Sequence, residues 1–167
     1  MIGIWVELSK GYYTLIDRAD YDRVTEFSWC AQVRKTNPLV YALRGPNTTR
    51  RNPYGSVSRH RYLHRFLMDA PEGYVVDHIN GDTLDNRRSN LRVVTQRQNI
   101  ANSRTYNRTG YKGVTRRGRR WVAQIRDGAR IRIIGSFFSL EDAARAYDAE
   151  AYRMYGDCAR LNFPRSA

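Results

Sequence analysis

The stretch from Tyr74 to Asn102 constrains the fold of this chain most, because short apolar runs alternate there with closely spaced polar residues. Its first run, Tyr74–Val76, is rich in β-branched residues and predicts a strand that delivers Asp77 and His78 to a surface. Residues 79–89 are dense in Asn, Asp and Gly, which tolerate left-handed backbone and bond their own main chain. They predict a structured loop.

A second strand and a helix complete this stretch. Asn90–Val94 predicts the strand, and Thr95 predicts the cap of a helix, with Gln98 at the last position of a capping box. Asn99 falls in the opening turns of that helix. The sequence therefore predicts a hairpin followed by a helix, with polar side chains at their junctions.

These polar side chains have the chemistry of a phosphodiester-cleaving site. The Asp77 carboxylate and the Asn99 amide are oxygen donors, which suit Mg²⁺ or Mn²⁺ and make a poor zinc site. Neighbours on a strand point to opposite faces, so Asp77 and His78 would flank a phosphate. A neutral imidazole can take a proton from water, and the metal can bear the charge of the phosphate and leaving oxygens.

The four residues resemble the HNH nuclease motif, in the variant Asp-His, Asn and Asn, and the closest resemblance is to homing endonucleases of phages and introns. The resemblance implies that Asp77 and Asn99 bind a divalent metal, that His78 is the general base, and that Asn90 braces the loop and orients the base. It extends to Asn80, Gly81, Asp82, Asn86, Leu91 and Arg92.

A His-Asp pair alone is more often structural than catalytic, and such a loop is often only a turn. Four positions at the family spacing in a strongly basic chain favour the nuclease. Two alternatives stay open: a non-catalytic DNA-binding regulator that retains the nuclease fold, and an RNA-binding or RNA-processing protein, since basic charge does not distinguish the two polymers.

The charge of the chain points to an acidic polymer as partner. Its 167 residues have a net charge of +13 and a pI of about 10.3, which favours nucleic acid over a membrane surface. No signal-peptide pattern and no apolar run near the ~20 residues of a membrane span occur. With two distant cysteines, the expected setting is a reducing cytoplasm, that of a bacterial host if the chain is phage-encoded, with no required protein partner.

The residues before Tyr74 predict a small mixed sheet with helices that supports the motif. The predicted strands are Ile2–Leu8, Tyr12–Ile16, Ser28–Val33, Leu39–Arg44 and Ser56–Arg61, and the predicted helices are Asp20–Phe27 and Tyr62–Asp69, with a loop at Gly45–Gly55. We expect His64 to pack or to contact backbone, and His60 to be a surface or strand residue.

After the motif, the sequence predicts a basic linker at residues 103–110, in which Arg104 and Arg108 are able to bind phosphate, and then a second domain. Tyr111–Thr115 and Trp121–Arg126 predict strands, and Asp127-Gly128 predicts a hairpin turn.

The charge pattern favours a three-residue loop in this hairpin, with Arg126 opposite Arg130 and Gln124 opposite Arg132. A two-residue loop would place Arg130 and Arg132 on the core face, and burying unpaired guanidinium groups is costly. The consecutive Ile133 and Ile134 then require an irregularity before Gly135.

A helix capped by Ser139, with Asp142 at the box position, ends at Gly156. This helix is acidic and the sheet is basic, so we expect the sheet to meet DNA and the helix to face away.

Residues 111–114, 121–126, 135–137, 143–148 and 161–163 resemble the ethylene-response-factor (AP-two) type DNA-binding domain. The resemblance implies a three-stranded sheet that lies in the major groove, with Lys112, Thr115, Arg117, Gln124 and Arg126 at contact positions. Thr115 stands where arginine is common, and Ile133 where tryptophan is common, so the base preference cannot be transferred. A sheet that only coats phosphates is the simpler alternative.

The predicted protein is therefore α+β, with the nuclease part in residues 1–102, the linker, a DNA-binding domain in residues 111–163 and a short tail at 164–167. The prediction is a metal-dependent homing-type endonuclease that binds duplex DNA. The candidate DNA-binding residues are Lys112, Thr115, Arg116, Arg117, Arg119, Arg120, Gln124, Arg126, Arg130 and Arg132 in the second domain, and Arg87, Arg88, Arg92 and Arg97 around the motif.

Overall fold

The computed structural model describes residues 3–34, 37–44, 62–103, 108–128 and 130–164. The chain divides into an amino-terminal unit, Met1–Gln96, and a carboxy-terminal unit, Arg97–Ala167. The predictions for the loop 45–55, the strand 56–61 with His60, and Arg104 lie outside the described residues.

The amino-terminal unit is built from three antiparallel strand pairs and two short helices. The strands are β1 (Gly3–Glu7), β2 (Tyr13–Asp17), β3 (Trp29–Arg34), β4 (Asn37–Arg44), β5 (Tyr74–His78) and β6 (Leu91–Thr95), and the helices are α1 (Tyr21–Thr25) and α2 (Leu63–Met68). The pairs are β1 with β2, β3 with β4 and β5 with β6. Alternating apolar residues bury one face of each pair, and Ile16, Val24, Leu63 and Leu67 lie at the centre of the core.

The loop between β5 and β6 is ordered by its own polar side chains. Asn80 Oδ1 accepts from the Asp82 N–H at 2.7 Å, and Asp82 Oδ1 accepts from the Leu84 N–H at 2.9 Å, which are the local turns that Asn and Asp favour. The loop also pairs with β2, because the Leu15 N–H donates to Leu84 O at 2.8 Å and the Asn86 N–H donates to Leu15 O at 2.7 Å. The predicted structured loop is thus fixed against a strand far away in sequence.

The carboxy-terminal unit is a three-stranded antiparallel sheet packed on one helix, which confirms this part of the predicted α+β fold. The elements are α3 (Gln96–Asn102), which starts at the last residue of the first unit, and then β7 (Val114–Arg117), β8 (Arg120–Asp127), β9 (Arg130–Phe137) and α4 (Leu140–Tyr155). Ser139 caps α4 as predicted, since its Oγ accepts from the Asp142 N–H at 3.2 Å, and Gly156 follows the helix.

The strand predicted at Tyr111–Thr115 begins only at Val114. Gly110 and Gly113 both have a φ of 75°, which bends the backbone before the strand. Thr109 Oγ1 bonds the main chain of Tyr111 at 3.2 Å and so closes this turn. The apolar pattern alone did not reveal the turn.

The predicted three-residue loop between β8 and β9 is wrong. Asp127 pairs with Arg130, Ile125 with Arg132 and Gln124 with Ile133, so the loop has two residues. The prediction failed because Arg132, although on the helix side of the sheet, is neither deeply buried nor unpaired. Its side chain is 46% exposed, and its guanidinium donates to Glu150 Oε1 of α4.

The expected irregularity is present in β9. The register shifts between Ala123 and Gln124, whose partners are Gly135 and Ile133, so that Ile134 is the extra residue of a bulge. Ile134 packs against the core formed by the sheet and α4. The bulge thus places both Ile134 and Gly135 on the side of the sheet that faces α4, whereas Ile133 faces the other side.

Small residues let α4 lie close to the sheet. Ala143, Ala144 and Ala151 are buried against Val114, Ala123 and Ile125. The described helices include none that is long and apolar enough to cross a membrane. Cys30 and Cys158 are free, half-buried thiols.

Candidate active site and nucleic-acid surface

Asp77 and Arg92 form a cross-strand ion pair in the β5–β6 hairpin. They are direct partners in the register, and Arg92 Nε and Nη2 donate to the same carboxylate oxygen, Oδ2, at 2.8 and 2.7 Å. Asp77 is buried and the Arg92 side chain is only 18% exposed. Asp77, the predicted metal ligand, therefore has a guanidinium as its immediate neighbour. Arg92, a predicted DNA contact, is bound to Asp77 within the hairpin.

His78 is buried at the end of β5, and Asn86 is one of its polar partners. The Nε2 atom of the imidazole lies 3.2 Å from Asn86 Oδ1. Asn86 itself is 1% exposed, and its Nδ2 donates to Thr14 Oγ1 at 2.8 Å and to Thr83 O at 3.4 Å. Thr14 Oγ1 in turn donates to Leu84 O at 2.8 Å.

This chain of hydrogen bonds assigns the tautomer of the imidazole. A backbone carbonyl can only accept, so the hydroxyl of Thr14 must donate to Leu84 O and accept from Asn86 Nδ2. Asn86 Oδ1 then faces His78 and accepts its proton. In the neutral ring, Nε2 therefore carries the hydrogen and Nδ1 carries the lone pair.

An aromatic and imidazole cluster surrounds His78. The ring of His64 stands edge-on to His78 with centroids 5.1 Å apart, and Tyr62 stacks on His64 at 5.4 Å. Tyr41 lies 5.8 Å from His64 and 6.4 Å from His78. The sequence prediction of a packing role for His64 did not identify these tyrosines.

Burial in this cluster favours neutral imidazoles. The pKa of His64 is lowered to about 3, chiefly by desolvation and also by the neighbouring His78 and Arg65. Burial also lowers the pKa of His78, although the Asn86 hydrogen bond and the nearby carboxylates of Asp77, Asp82 and Asp85 oppose this shift. Burial therefore favours the neutral form of both rings, the state in which an imidazole is able to accept a proton.

Asn90 joins the two ends of the loop. Its Nδ2 donates to Asp85 O at 2.8 Å, and its Oδ1 accepts from the Asn80 N–H at 3.0 Å. The residue is buried immediately before β6, so its bond to Asp85 O is shielded from water. Asn90 thus braces the loop, while the direct contact with His78 comes from Asn86, which the sequence analysis included in the loop without assigning it this contact.

Asn99, the other predicted metal ligand, is half-buried on α3. Among the residues that the structure describes, no group of three or more His, Cys, Asp or Glu side chains is arranged to hold a metal ion. Asp77 offers a carboxylate and Asn99 an amide, and both groups are oxygen donors of the kind that Mg²⁺ and Mn²⁺ prefer.

The other arginines around the motif also form ion pairs. The pairs are Arg87 with Asp85, Arg88 with Asp20 and Arg97 with Asp127. The hydrogen bonds that the Arg87 guanidinium donates to Asp85 hold the pKa of that carboxyl below its usual range. All three arginine side chains remain partly exposed, and their contact with DNA stays a prediction.

The basic residues of the sheet are mostly exposed. This holds for Arg116, Arg117, Arg119, Arg120, Arg126, Arg130 and Arg132. Two of them lie over aromatic rings, Arg116 at 5.5 Å from the Trp121 centroid and Arg120 at 3.5 Å from that of Phe138. Gln124 is half-buried on the face of the sheet opposite α4.

Lys112 and Thr115 differ from the other predicted DNA contacts. Lys112 Nζ donates to the carbonyls of Ala101 and Ser103 at the end of α3, and burial lowers its pKa to about 8. Thr115 Oγ1 is shielded from solvent and has no hydrogen-bond partner among the described residues. Neither polar group is directed at solvent in this structure.

Comparison with known proteins agrees with the geometry of the hairpin. The HNH endonuclease family model matches residues 69–101, which include β5, the loop, β6 and most of α3. The chain is also similar to an uncharacterized HNH endonuclease of Acanthamoeba polyphaga mimivirus, with 24% identity over 156 residues that cover 92% of this chain and 76% of that protein.

The carboxy-terminal part is similar to plant proteins. Dehydration-responsive element-binding protein 2A of Arabidopsis thaliana is 48% identical over 63 residues, which are 35% of this chain and 18% of that protein. Ethylene-responsive transcription factor ERF016 of the same plant is 53% identical over 57 residues, which are 32% of this chain and 26% of that protein. The chain thus matches about a quarter or less of the length of these two plant proteins.

No solved structure gives a significant match to the chain. Two independent similarities remain, and each falls on one of the parts that the sequence distinguished. Residues 69–101 match the HNH endonuclease family, and the carboxy-terminal sheet and helix are similar to the ethylene-responsive type of plant factor.

Proposed function

We propose that this protein is a metal-dependent, homing-type endonuclease that binds duplex DNA and hydrolyses a phosphodiester bond. The observation that carries the proposal is the buried His78, whose ring is held by Asn86. The HNH family match and the similarity to plant DNA-binding factors support a DNA-binding nuclease in general.

In the proposed reaction, His78 accepts a proton from the attacking water at Nδ1, the nitrogen with the lone pair. The Nε2–H···Oδ1 bond to Asn86 keeps the ring in this tautomer and would stabilise the imidazolium that forms. Asn90 keeps the loop closed beneath the base through its bonds to Asn80 and Asp85. The role of Asn90 is therefore to position the loop that supplies Asn86.

Asp77 and Asn99 would hold the divalent metal, Mg²⁺ or Mn²⁺, because they offer oxygen donors of the type these ions prefer. When bound, the metal would bear negative charge on the phosphate oxygens and the leaving oxygen. The Arg92 guanidinium competes for Asp77 Oδ2, so metal binding would weaken at least one of its two hydrogen bonds.

The carboxy-terminal part would hold the protein on DNA. We assign residues 1–102 to the nuclease part, residues 103–110 to a linker and residues 111–163 to DNA binding. The exposed arginines of the sheet supply phosphate contacts, and Gln124 and Arg126 supply contacts to bases in the major groove. The paired arginines of the motif, such as Arg87 and Arg88, would leave their aspartate partners and bind phosphates of the DNA instead.

A non-catalytic DNA-binding regulator with the nuclease fold is the second candidate. The Asp77–Arg92 pair favours it, because a carboxylate that is neutralised by a guanidinium needs no metal. This candidate predicts DNA binding without cleavage, whether or not a divalent metal is present.

The test is incubation of the protein with supercoiled and phage-genome DNA, with and without Mg²⁺, followed by mapping of the ends. Wild type should cut only with metal. His78→Ala should bind DNA as wild type does but cut at least ~100-fold more slowly, the usual contribution of a general base. Tyr74→Ala, a change at a 46% exposed position of the same strand, should cut normally.

Cleavage by His78→Ala at the wild-type rate would exclude His78 as the base. Binding without cleavage by wild type under every metal condition would favour the regulator. Preference for RNA over duplex DNA in competition would favour the RNA-binding alternative.

A further inference from the structure

The face of the sheet opposite α4 presents two isoleucines to solvent. Ala123 and Ile125 of β8 are buried against α4, so Gln124 and its partner Ile133 in β9 point to the other face. Ile131 lies on the same face, opposite Arg126. Each isoleucine is 55% exposed, so both side chains are largely open to solvent on this face.

The surroundings of these isoleucines indicate the chemistry of a partner. Single exposed apolar residues are common on protein surfaces. Here two of them stand at i and i+2 on one face, beside an amide and a guanidinium, and Arg117 and Arg119, at the other end of the sheet, are also exposed. A partner that matches this surface is polyanionic and also offers small apolar groups.

Duplex DNA meets both requirements. Its phosphates attract the arginines, and the apolar group that its bases display in the major groove is the C5-methyl of thymine. RNA lacks this methyl group, and its major groove is too deep and narrow for side chains to enter. A lipid surface would also attract the arginines, but it contains no bases that the isoleucines and Gln124 could recognise.

We propose that Ile131 and Ile133 recognise thymine methyl groups, while Gln124, opposite Ile133, bonds to an adenine edge. The carboxy-terminal sheet would then prefer A·T pairs at the centre of its site. This inference rests on the proposed function, in that it takes duplex DNA as the ligand of the sheet, and it goes further by stating which bases are recognised.

The spacing of the two isoleucines is compatible with this role. Residues at i and i+2 of a strand are about 6.7 Å apart, which is about two base-pair steps of 3.4 Å along one DNA strand. The two methyl groups would therefore belong to thymines about two steps apart. The amide of Gln124 has the paired donor and acceptor that adenine N7 and N6 require.

The test compares thymine with uracil, because uracil pairs identically but lacks the methyl group. The full-length chain is kept without divalent metal, so that it binds without cutting. A tightly bound duplex is first selected from a random library, and its thymines are then replaced by uracil one at a time. At two positions, wild type should lose about fourfold in affinity per methyl removed, and about fifteenfold when both are removed.

Variants at the two isoleucines assign the effect. Ile131→Ala and Ile133→Ala should bind thymine and uracil equally at one position each. Ile100→Ala removes an isoleucine of α3 that is similarly exposed, at 52%, and should keep the full discrimination. Circular dichroism of each variant checks that the fold is retained, and the wild-type comparison stands even if one variant does not fold.

The outcomes separate the two proposals. Absence of duplex binding, or tighter binding to RNA, would overturn the proposed function. Equal binding of thymine and uracil duplexes by wild type would overturn the present inference and leave the proposed function intact. A dimer that dissociates on Ile131→Ala or Ile133→Ala, without any thymine effect, would show that a second copy of the chain covers this face instead.

Discussion

The buried His64 makes the stability of the amino-terminal unit depend on pH. Its ring stacks on Tyr62 and stands edge-on to His78, and its pKa is lowered to about 3, first by desolvation and then by His78 and Arg65. In the unfolded chain, the pKa of the same residue is about 6.5. Between these two pH values, His64 is therefore protonated in the unfolded state and unprotonated in the folded state.

The sign and size of the effect follow from this difference. For a histidine whose folded pKa is depressed, the stability is fully present above pH ~6.5 and is lost as the pH falls towards 3. At about pH 4.5 the solution is about two units below the pKa of the residue in the unfolded chain, which corresponds to ~3 kcal/mol of lost stability. His64→Phe keeps an aromatic ring against Tyr62 but cannot titrate.

The assay is urea unfolding of wild type and His64→Phe at about pH 7 and about pH 4.5. Fluorescence of the buried Trp29 is suited to the amino-terminal unit, because its indole N–H is bonded to Val24 O within that unit. Between the two pH values, wild type should lose ~3 kcal/mol more than the variant. His78 is present in both proteins, so the difference between them reports His64 together with its coupling to His78.

Two results would refute the reasoning. The first is an equal loss of stability by both proteins on acidification. The second is an NMR titration of the imidazole signals in which His64 of the folded protein takes up its proton near pH 6.5.

Two further predictions concern the carboxy-terminal unit. Gly113→Ala would place a Cβ 1.9 Å from the ring of Tyr147 at a φ of +75°, and should destabilise the unit by more than ~3 kcal/mol in urea unfolding. Gly118 also has a positive φ but has open space around it, so Gly118→Ala should cost only ~1 kcal/mol. Similar losses of stability in the two variants would show that the contact with the Tyr147 ring is unimportant. Arg117→Ala should reduce the slope of log affinity for DNA against log salt by ~0.9, and Arg153→Ala, which removes the same charge from α4, should leave it unchanged. Equal slopes for the two variants would mean that the sheet does not contact the phosphates.

The sequence by itself determined the local structure of both parts. β-branched runs on either side of an Asn- and Asp-rich loop specify β5, the loop and β6, since these residue types favour strands and tight polar turns through their own backbone preferences. The cap at Ser139 and the glycine at 156 likewise specify the length of α4. Such signals act over a few residues and can be recognised without a fold.

The tertiary structure alone decided the partner of the proposed base. Asn86 faces His78 because Thr14, 72 positions away, accepts its amide proton, and no local pattern contains that information. The register of β8 and β9 was decided in the same way, since the partner of Arg132 is Glu150 on α4. The cost of placing a charge on a given face depends on which opposite charge the folded chain brings to it, and that is fixed only when the distant elements pack together.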